Sequence, residues 1–139
     1  MLTIPNHVTE IDGHQLRFFT SPIYAINKTP DWPWHSADDL RTILRIPDDM
    51  AEVFRRKMKA DWADIVRTVA TPTGVTMIAP LYMGEGMLKL MQYRRKLLPT
   101  EDRRRIAAKF RVGVTRSMTE MLKHLDPMQK LAVALSAER

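Results

Sequence analysis

The chain has no cysteine at all. That absence removes disulfides, thiolate metal sites and cysteine nucleophiles together, and it fits a reducing compartment. Long apolar runs are missing as well: no stretch reaches the roughly 18 uncharged apolar residues that a membrane-spanning helix needs. Met1 to Glu10 carries neither a basic start nor an apolar h-region, so no secretory signal and a cytoplasmic location are expected. Catalytic signatures are equally scarce. There is no Gly-x-Ser-x-Gly elbow, no glycine-rich phosphate loop ending in Gly-Lys-Ser/Thr, and no His-Glu-x-x-His zinc helix. His7, His14, His35 and His124 show no ligand spacing and read as surface or capping residues. Asp38-Asp39 and Asp48-Asp49 could in principle be acid/base pairs. Neighbours on a helix diverge by about 100°, however, and both pairs stand where helix starts favour negative charge. Gly84-x-Gly86 is too short for a dinucleotide fingerprint and reads as a helix entry. No metal or cofactor is called for. The expectation is a protein that binds rather than an enzyme.

What is present is a chain of 139 residues, suited to one domain or one domain with a helical appendage. Its net charge of +6 is unevenly spread. Residues 1–93 hold 10 Lys/Arg against 11 Asp/Glu, whereas residues 94–139 hold 12 against 5. A last third this basic suggests contact with something anionic.

Val8 to Phe19 reads as a β-hairpin. Asp12-Gly13 lies between two strand-like runs, and a type I′ turn needs positive φ at both central positions. Pro22, Pro30 and Pro33 mark residues 20–33 as a loop. Ser36 is placed to cap a helix by accepting from the third helical amide, with Asp39 reaching back to the cap; Ala37, Leu40, Ile43 and Leu44 form its apolar face. Pro47 ends that helix. Asp48-Asp49 opens another with a stripe of Met50, Val53, Phe54 and Met58, its outer face being Arg55-Arg56-Lys57-Lys59. Ile65–Thr71 and Val75–Ala79 flank Pro72-Thr73-Gly74 as a second hairpin. A helix expected to start near Met83 or Glu85 then buries Met83, Met87, Leu90, Met91 and Leu98. Thr100 caps a long helix with the stripe Ile106, Phe110, Val114, Ser117, Met118, Met121, Leu122 and Leu125. Asp126-Pro127 starts a last helix with Met128, Leu131 and Leu135 inward. The fold class is α+β: two short antiparallel hairpins packed on helices, then a C-terminal helical hairpin. The domains read as 1–92, compact, and 93–139, basic.

The order hairpin, Ser-capped helix, hairpin, glycine-containing helix resembles the BRO-N domain, the N-terminal module of baculovirus BRO proteins and many phage antirepressors. Trp32-Pro33-Trp34 with Asp38-Asp39-Leu40, the turn at Gly74, and Glu85-Gly86-Met87-Leu88 stand at the places of the family's motifs, so the resemblance covers about residues 8–92. The chain departs from the pattern at Leu44-Arg45, where the family often has Leu-Gly and then a tyrosine, and at Leu88, commonly an aromatic. The resemblance implies a phage-derived protein that binds DNA or interferes with a transcriptional regulator. It carries no site residues of its own.

The candidate site lies on the Thr100 helix. With Ile106 at zero and 100° per residue, the apolar stripe spans roughly −20° to 160°, and Arg105, Lys109, Arg116 and Lys123 fall at roughly 260° to 300°. Together they form a ridge about 27 Å long, with Glu120 the acid sharing its sector. Arg94-Arg95-Lys96 and Arg103-Arg104-Arg105 extend it at the N-terminal end. Such a ridge suits the phosphates of double-stranded DNA. The competing readings are a plain solvated face, or a membrane surface or acidic partner. The functional expectation is a DNA-binding protein of transcriptional control. The alternative is an antirepressor-type module that binds a regulator protein and never touches DNA. An apolar stripe this long also suggests a homodimer through the C-terminal helices.

Overall fold

The computed structural model describes residues 1–22, 31–61, 65–123 and 126–131. Both hairpins form where the turn chemistry places them. β1 (His7–Ile11) and β2 (His14–Phe19) meet through Asp12 at φ 52° and Gly13 at φ 81°, the double left-handed geometry of a two-residue turn. β4 (Arg67–Thr71) and β5 (Gly74–Ala79) are joined by Pro72-Thr73, so Gly74 opens the returning strand and is not part of the turn.

The hairpins belong to one antiparallel sheet of order β1-β2-β3-β5-β4. The link is β3 (Trp34–Ser36), three buried residues that pair with β2 through Phe18 and Phe19 and with β5 through Ile78 and Ala79. The sequence predicts no strand between the loop at 20–33 and the helix capped by Ser36. The N-terminal segment reaches the far edge of the sheet, where the Thr3 amide donates to the Ala70 carbonyl at 2.7 Å. Arg17 ties the two hairpins together: its guanidinium holds both oxygens of Asp39 at 2.8 and 2.9 Å and donates to the hydroxyls of Thr71 and Thr73.

Among the described residues, helices follow in the order expected. In α1 (Ala37–Ile43) the Ser36 hydroxyl accepts from the Asp39 amide at 3.0 Å. Asp39 does not reach back to that cap, because its carboxylate is taken by Arg17. Asp38 likewise leaves its own helix, accepting from the Met77 amide, the Thr76 hydroxyl and Arg55. α1 ends in a Schellman motif, with the Ile46 amide on the Arg41 carbonyl and the Arg45 amide on Thr42. Arg45 sits at φ 60°, the left-handed position usually given to glycine.

α2 (Asp48–Asp61) turns Ala51 fully inward and Met50 and Phe54 partly so, but leaves Val53 63% exposed. The stripe is therefore rotated toward Ala51, which is small enough to let the helix approach. The side chains of Lys57 and Met58 lie outside the described residues. α3 (Leu81–Leu90) begins directly after Pro80, earlier than expected, and continues as a 3₁₀ turn (Met91–Tyr93). Gly84, Leu88 and Met91 are its buried line, whereas Leu90 is exposed.

α4 (Thr100–Leu122) starts after Pro99, and Thr100 is its first residue rather than a capping side chain. It packs back on the β1–β2 hairpin. Ile106, Phe110 and Val114 share one core with Ile11, Leu16 and Phe18 of the hairpin, and with Leu40, Leu44 and Leu88 of the other helices. Two small residues let α4 come this close: Ala107 and Gly113 are both buried. Ser117 is buried beside them and donates to the Asn6 side-chain carbonyl. Leu125 and Leu135 of the expected C-terminal stripes lie outside the described residues. Asp126 caps the next helical turn as expected, with Gln129 returning the bond to the Asp126 amide. Met128 and Leu131, expected inward, are 74% and 52% exposed, because no described residue folds back over them.

Candidate nucleic-acid interface

α4 is one uninterrupted helix of 23 residues, so its outer face holds Arg105, Lys109 and Arg116 in line, with Lys123 at its C-cap. All four are exposed and flank the side buried on the hairpin. Their electrostatic surroundings differ. Arg105 donates to Asp12 of the β1–β2 turn at 2.7 Å and to Asp102 at 2.9 Å. Asp102 also takes Arg45 at 3.1 Å, and its carboxyl is held below the usual range, first by Arg105. Lys123 pairs with Glu120 at 2.7 Å. The ridge is thus less free of acids than the helical wheel indicated: Asp102 from its own first turn and Asp12 from the hairpin join Glu120. Both ends of the ridge meet carboxylates, and its centre, Lys109 and Arg116, makes no ion pair among the described residues.

The N-terminal extension divides. Arg94, Arg95 and Lys96 are exposed on the turn that enters α4, without ion pairs among the described residues. Arg104 is exposed, but Arg103 is half-buried. Three consecutive helical residues cannot share a face: Arg103 lies about 160° around the helix from Arg105. Arg111, not counted in the ridge, reaches Glu85 of α3 at 3.5 Å.

Near the middle of the ridge lies His7 of β1, whose ring nitrogen is 3.0 Å from the Thr9 hydroxyl. Partial burial, then the positive charge of Arg116, lowers its pKa. His35 corrects the expectation that each histidine lies at the surface or at a cap. It is fully buried, edge-on to Phe110 at 5.2 Å, and its Nε2 has no hydrogen-bond partner. Burial pushes its pKa down to about 4, so it is a neutral core residue. His124 lies outside the described residues.

A separate open cleft of about 400 Å³ is lined by Arg41, Arg55, Lys59, Thr68 and Thr76. Its arginines are already engaged, Arg41 with Asp48, and Arg55 with Asp38 and Glu52. Among the described residues, no three His, Asp or Glu side chains gather in a way that could hold a metal ion. No described helix is long and apolar enough to cross a membrane.

Two residues that sequence reasoning passed over stand out on α3 and its 3₁₀ turn: Tyr82 and Tyr93, 61% and 72% exposed. Their spacing of 11 residues, three helical turns, was the available signal. Compared with protein-family models, curated proteins and solved structures, the chain has no match.

Proposed function

We propose that this chain is a DNA-binding protein of transcriptional control, acting in the cytoplasm by binding rather than catalysis, with the outer face of α4 laid along phosphates. The observation that carries the reading is a group of exposed cations on α4 and the turn entering it that have no carboxylate partner among the described residues: Arg94, Arg95, Lys96, Arg104, Lys109 and Arg116. An unpaired surface cation keeps its charge available for counterion release from a polyanion, whereas one already paired must first give up its carboxylate. A rigid helix packed on a sheet also holds Lys109 and Arg116 in a fixed line, which lowers the ordering cost of binding.

The BRO-N-like, phage-derived reading gains support from the backbone at Arg45. The resembling family often places glycine after that leucine, and Arg45 adopts the left-handed conformation glycine would. In this chain Arg45, in that conformation, closes the helix.

The test is anisotropy of labelled duplex DNA at several salt concentrations. Lys109→Gln with Arg116→Gln should lower the salt slope of log affinity by about 2 and weaken unrelated sequences alike. An unchanged slope would make the ridge a solvated face. A second reading, contact with a regulator protein or a second copy of the chain, is favoured by the exposure of Met128 and Leu131. Such an apolar contact responds little to salt, and light scattering on the parent protein detects a homodimer directly.

A further inference from the structure

Tyr82 of α3 and Tyr93 of the 3₁₀ turn after it have no role in a phosphate-only contact. α3 buries Gly84 and Leu88, with Met91 just beyond. Tyr82, Gly86 and Lys89 fall on the opposite side, within about 60° of one another at 100° per residue. Tyr93, at the end of the 3₁₀ turn, follows the strip and is 72% exposed. Every position on it is exposed, and the exposed cations Arg94, Arg95 and Lys96 follow immediately. No acidic residue stands on the strip or in the three cations after it.

Gly86 is the second observation. A glycine inside a helix weakens it and is usually retained for close packing or for a positive φ. Gly86 has neither reason, since a Cβ there would meet nothing within 4 Å. It leaves an open floor between Tyr82 and Tyr93, two rings largely exposed to solvent and about 16 Å apart along the helix.

We infer that this strip is a stacking platform for single-stranded nucleic acid, bases lying on Tyr82 and Tyr93 while phosphates meet Lys89, Arg94, Arg95 and Lys96. The inference rests on the reading of the chain as a nucleic-acid binder and narrows its ligand. Flat aromatic faces beside cations take unstacked bases irrespective of sequence. Duplex bases already stack on each other and present mainly phosphate to an approaching helix, so the tyrosines would contribute little there.

The experiment uses the full chain, a labelled oligothymidylate of about 20 nucleotides, which exceeds the roughly 4–16 nucleotide sites typical of single-strand binders, and a duplex of equal length. Tyr82→Ala and Tyr93→Ala should each weaken oligothymidylate binding by roughly 5- to 150-fold, the range of one lost base stack. Tyr82→Phe and Tyr93→Phe, which keep the ring, should bind like the parent. Duplex affinity should stay within about twofold for all four. Equal binding of oligothymidylate by parent and alanine variants would overturn the inference and leave the phosphate-binding reading standing. A parent that binds neither nucleic acid at low salt removes both. The stacking role is also overturned if the alanine variants change oligomeric state in light scattering, or if the parent prefers phosphatidylserine vesicles to oligothymidylate.

Discussion

The same substitution, glycine to alanine, should have opposite signs at two helical positions of this chain. At Gly113, in the middle of α4, a Cβ would stand 2.5 and 2.7 Å from Cε2 and Cζ of Phe18, and 2.8 Å from the Thr9 hydroxyl. Carbon atoms attract best at about 3.5–4.0 Å, so roughly 1 Å of separation has to be found. The Phe18 ring cannot easily supply it, being fully buried and packed between His7 and Phe110. The helix must lift from the hairpin instead. Overpacking of this kind costs about 1–3 kcal/mol, and three close contacts place Gly113 toward the upper end. Alanine's better helix propensity returns about 1 kcal/mol. Gly113→Ala should therefore destabilise by about 2 kcal/mol. At Gly86 only the propensity acts, and Gly86→Ala should stabilise by about 1 kcal/mol. The two variants then differ by about 3 kcal/mol, roughly a hundredfold in the folding equilibrium. Urea unfolding followed by far-ultraviolet circular dichroism measures both, with an unchanged m-value showing that the denatured state is comparable. Gly113→Ala as stable as the parent would mean that α4 does not rest on the hairpin as described.

Phe110→Ala should cost about 3–5 kcal/mol by the same measurement, because the ring is fully buried against Phe18, His35 and the backbone of Gly84. A loss below about 1 kcal/mol would mean that α4 is peripheral. Asp38→Ala should cost about 2–3 kcal/mol, since it leaves the Met77 amide and Thr76 hydroxyl without their charged acceptor. His35 is neutral in the folded protein, with a pKa near 4, and protonates more readily unfolded, near 6.5. Its contribution is therefore full above about pH 6.5 and declines as pH falls toward 4, amounting to about 3 kcal/mol. His7 is shifted in the same direction, so the difference between parent and His35→Leu isolates the buried residue. Parallel stability–pH curves for the two proteins would refute the assignment.

Much of this fold is written in short-range chemistry. Asp12-Gly13 permits few alternatives to a two-residue hairpin turn, Ser36 finds the Asp39 amide, and Asp126 finds Gln129. Each of these signals acts over three or four residues and survives whatever surrounds it. β3 has no such signal. Three residues cannot display a period, and Trp34-His35-Ser36 becomes a strand only because Phe18–Phe19 and Ile78–Ala79 border it on both sides. The union of the two hairpins into one sheet was hidden for that reason. The start of α3 was misplaced by a different mechanism. Gly84 reads as a weak first turn, yet a Cβ there would come within 2.7 Å of both His35 and Phe110. The residue that lowers the helix's intrinsic propensity is the one that lets it pack.

The surface was less legible than the core, and the reason is geometric. A helical wheel assigns Arg105 to the ridge correctly, but the wheel knows only its own helix. Asp12, which takes one of the Arg105 guanidinium nitrogens, is 93 residues away in the chain and arrives through the packing of α4 on the β1–β2 turn. Whether a cation is free for a ligand is thus a tertiary property, even when its position is a local one. The tyrosines make the same point from the other side. Tyr82 and Tyr93 count as apolar in composition, and a helical segment containing them beside six other large apolar residues could turn either face inward. Gly84 decides the matter, because only its side of α3 can approach Phe110 closely enough to seal the core. Once that face is fixed, the tyrosines must point outward beside Lys89, at a cost in exposed aromatic surface that folding alone does not require. The choice of buried face therefore also creates the surface on which a ligand can act.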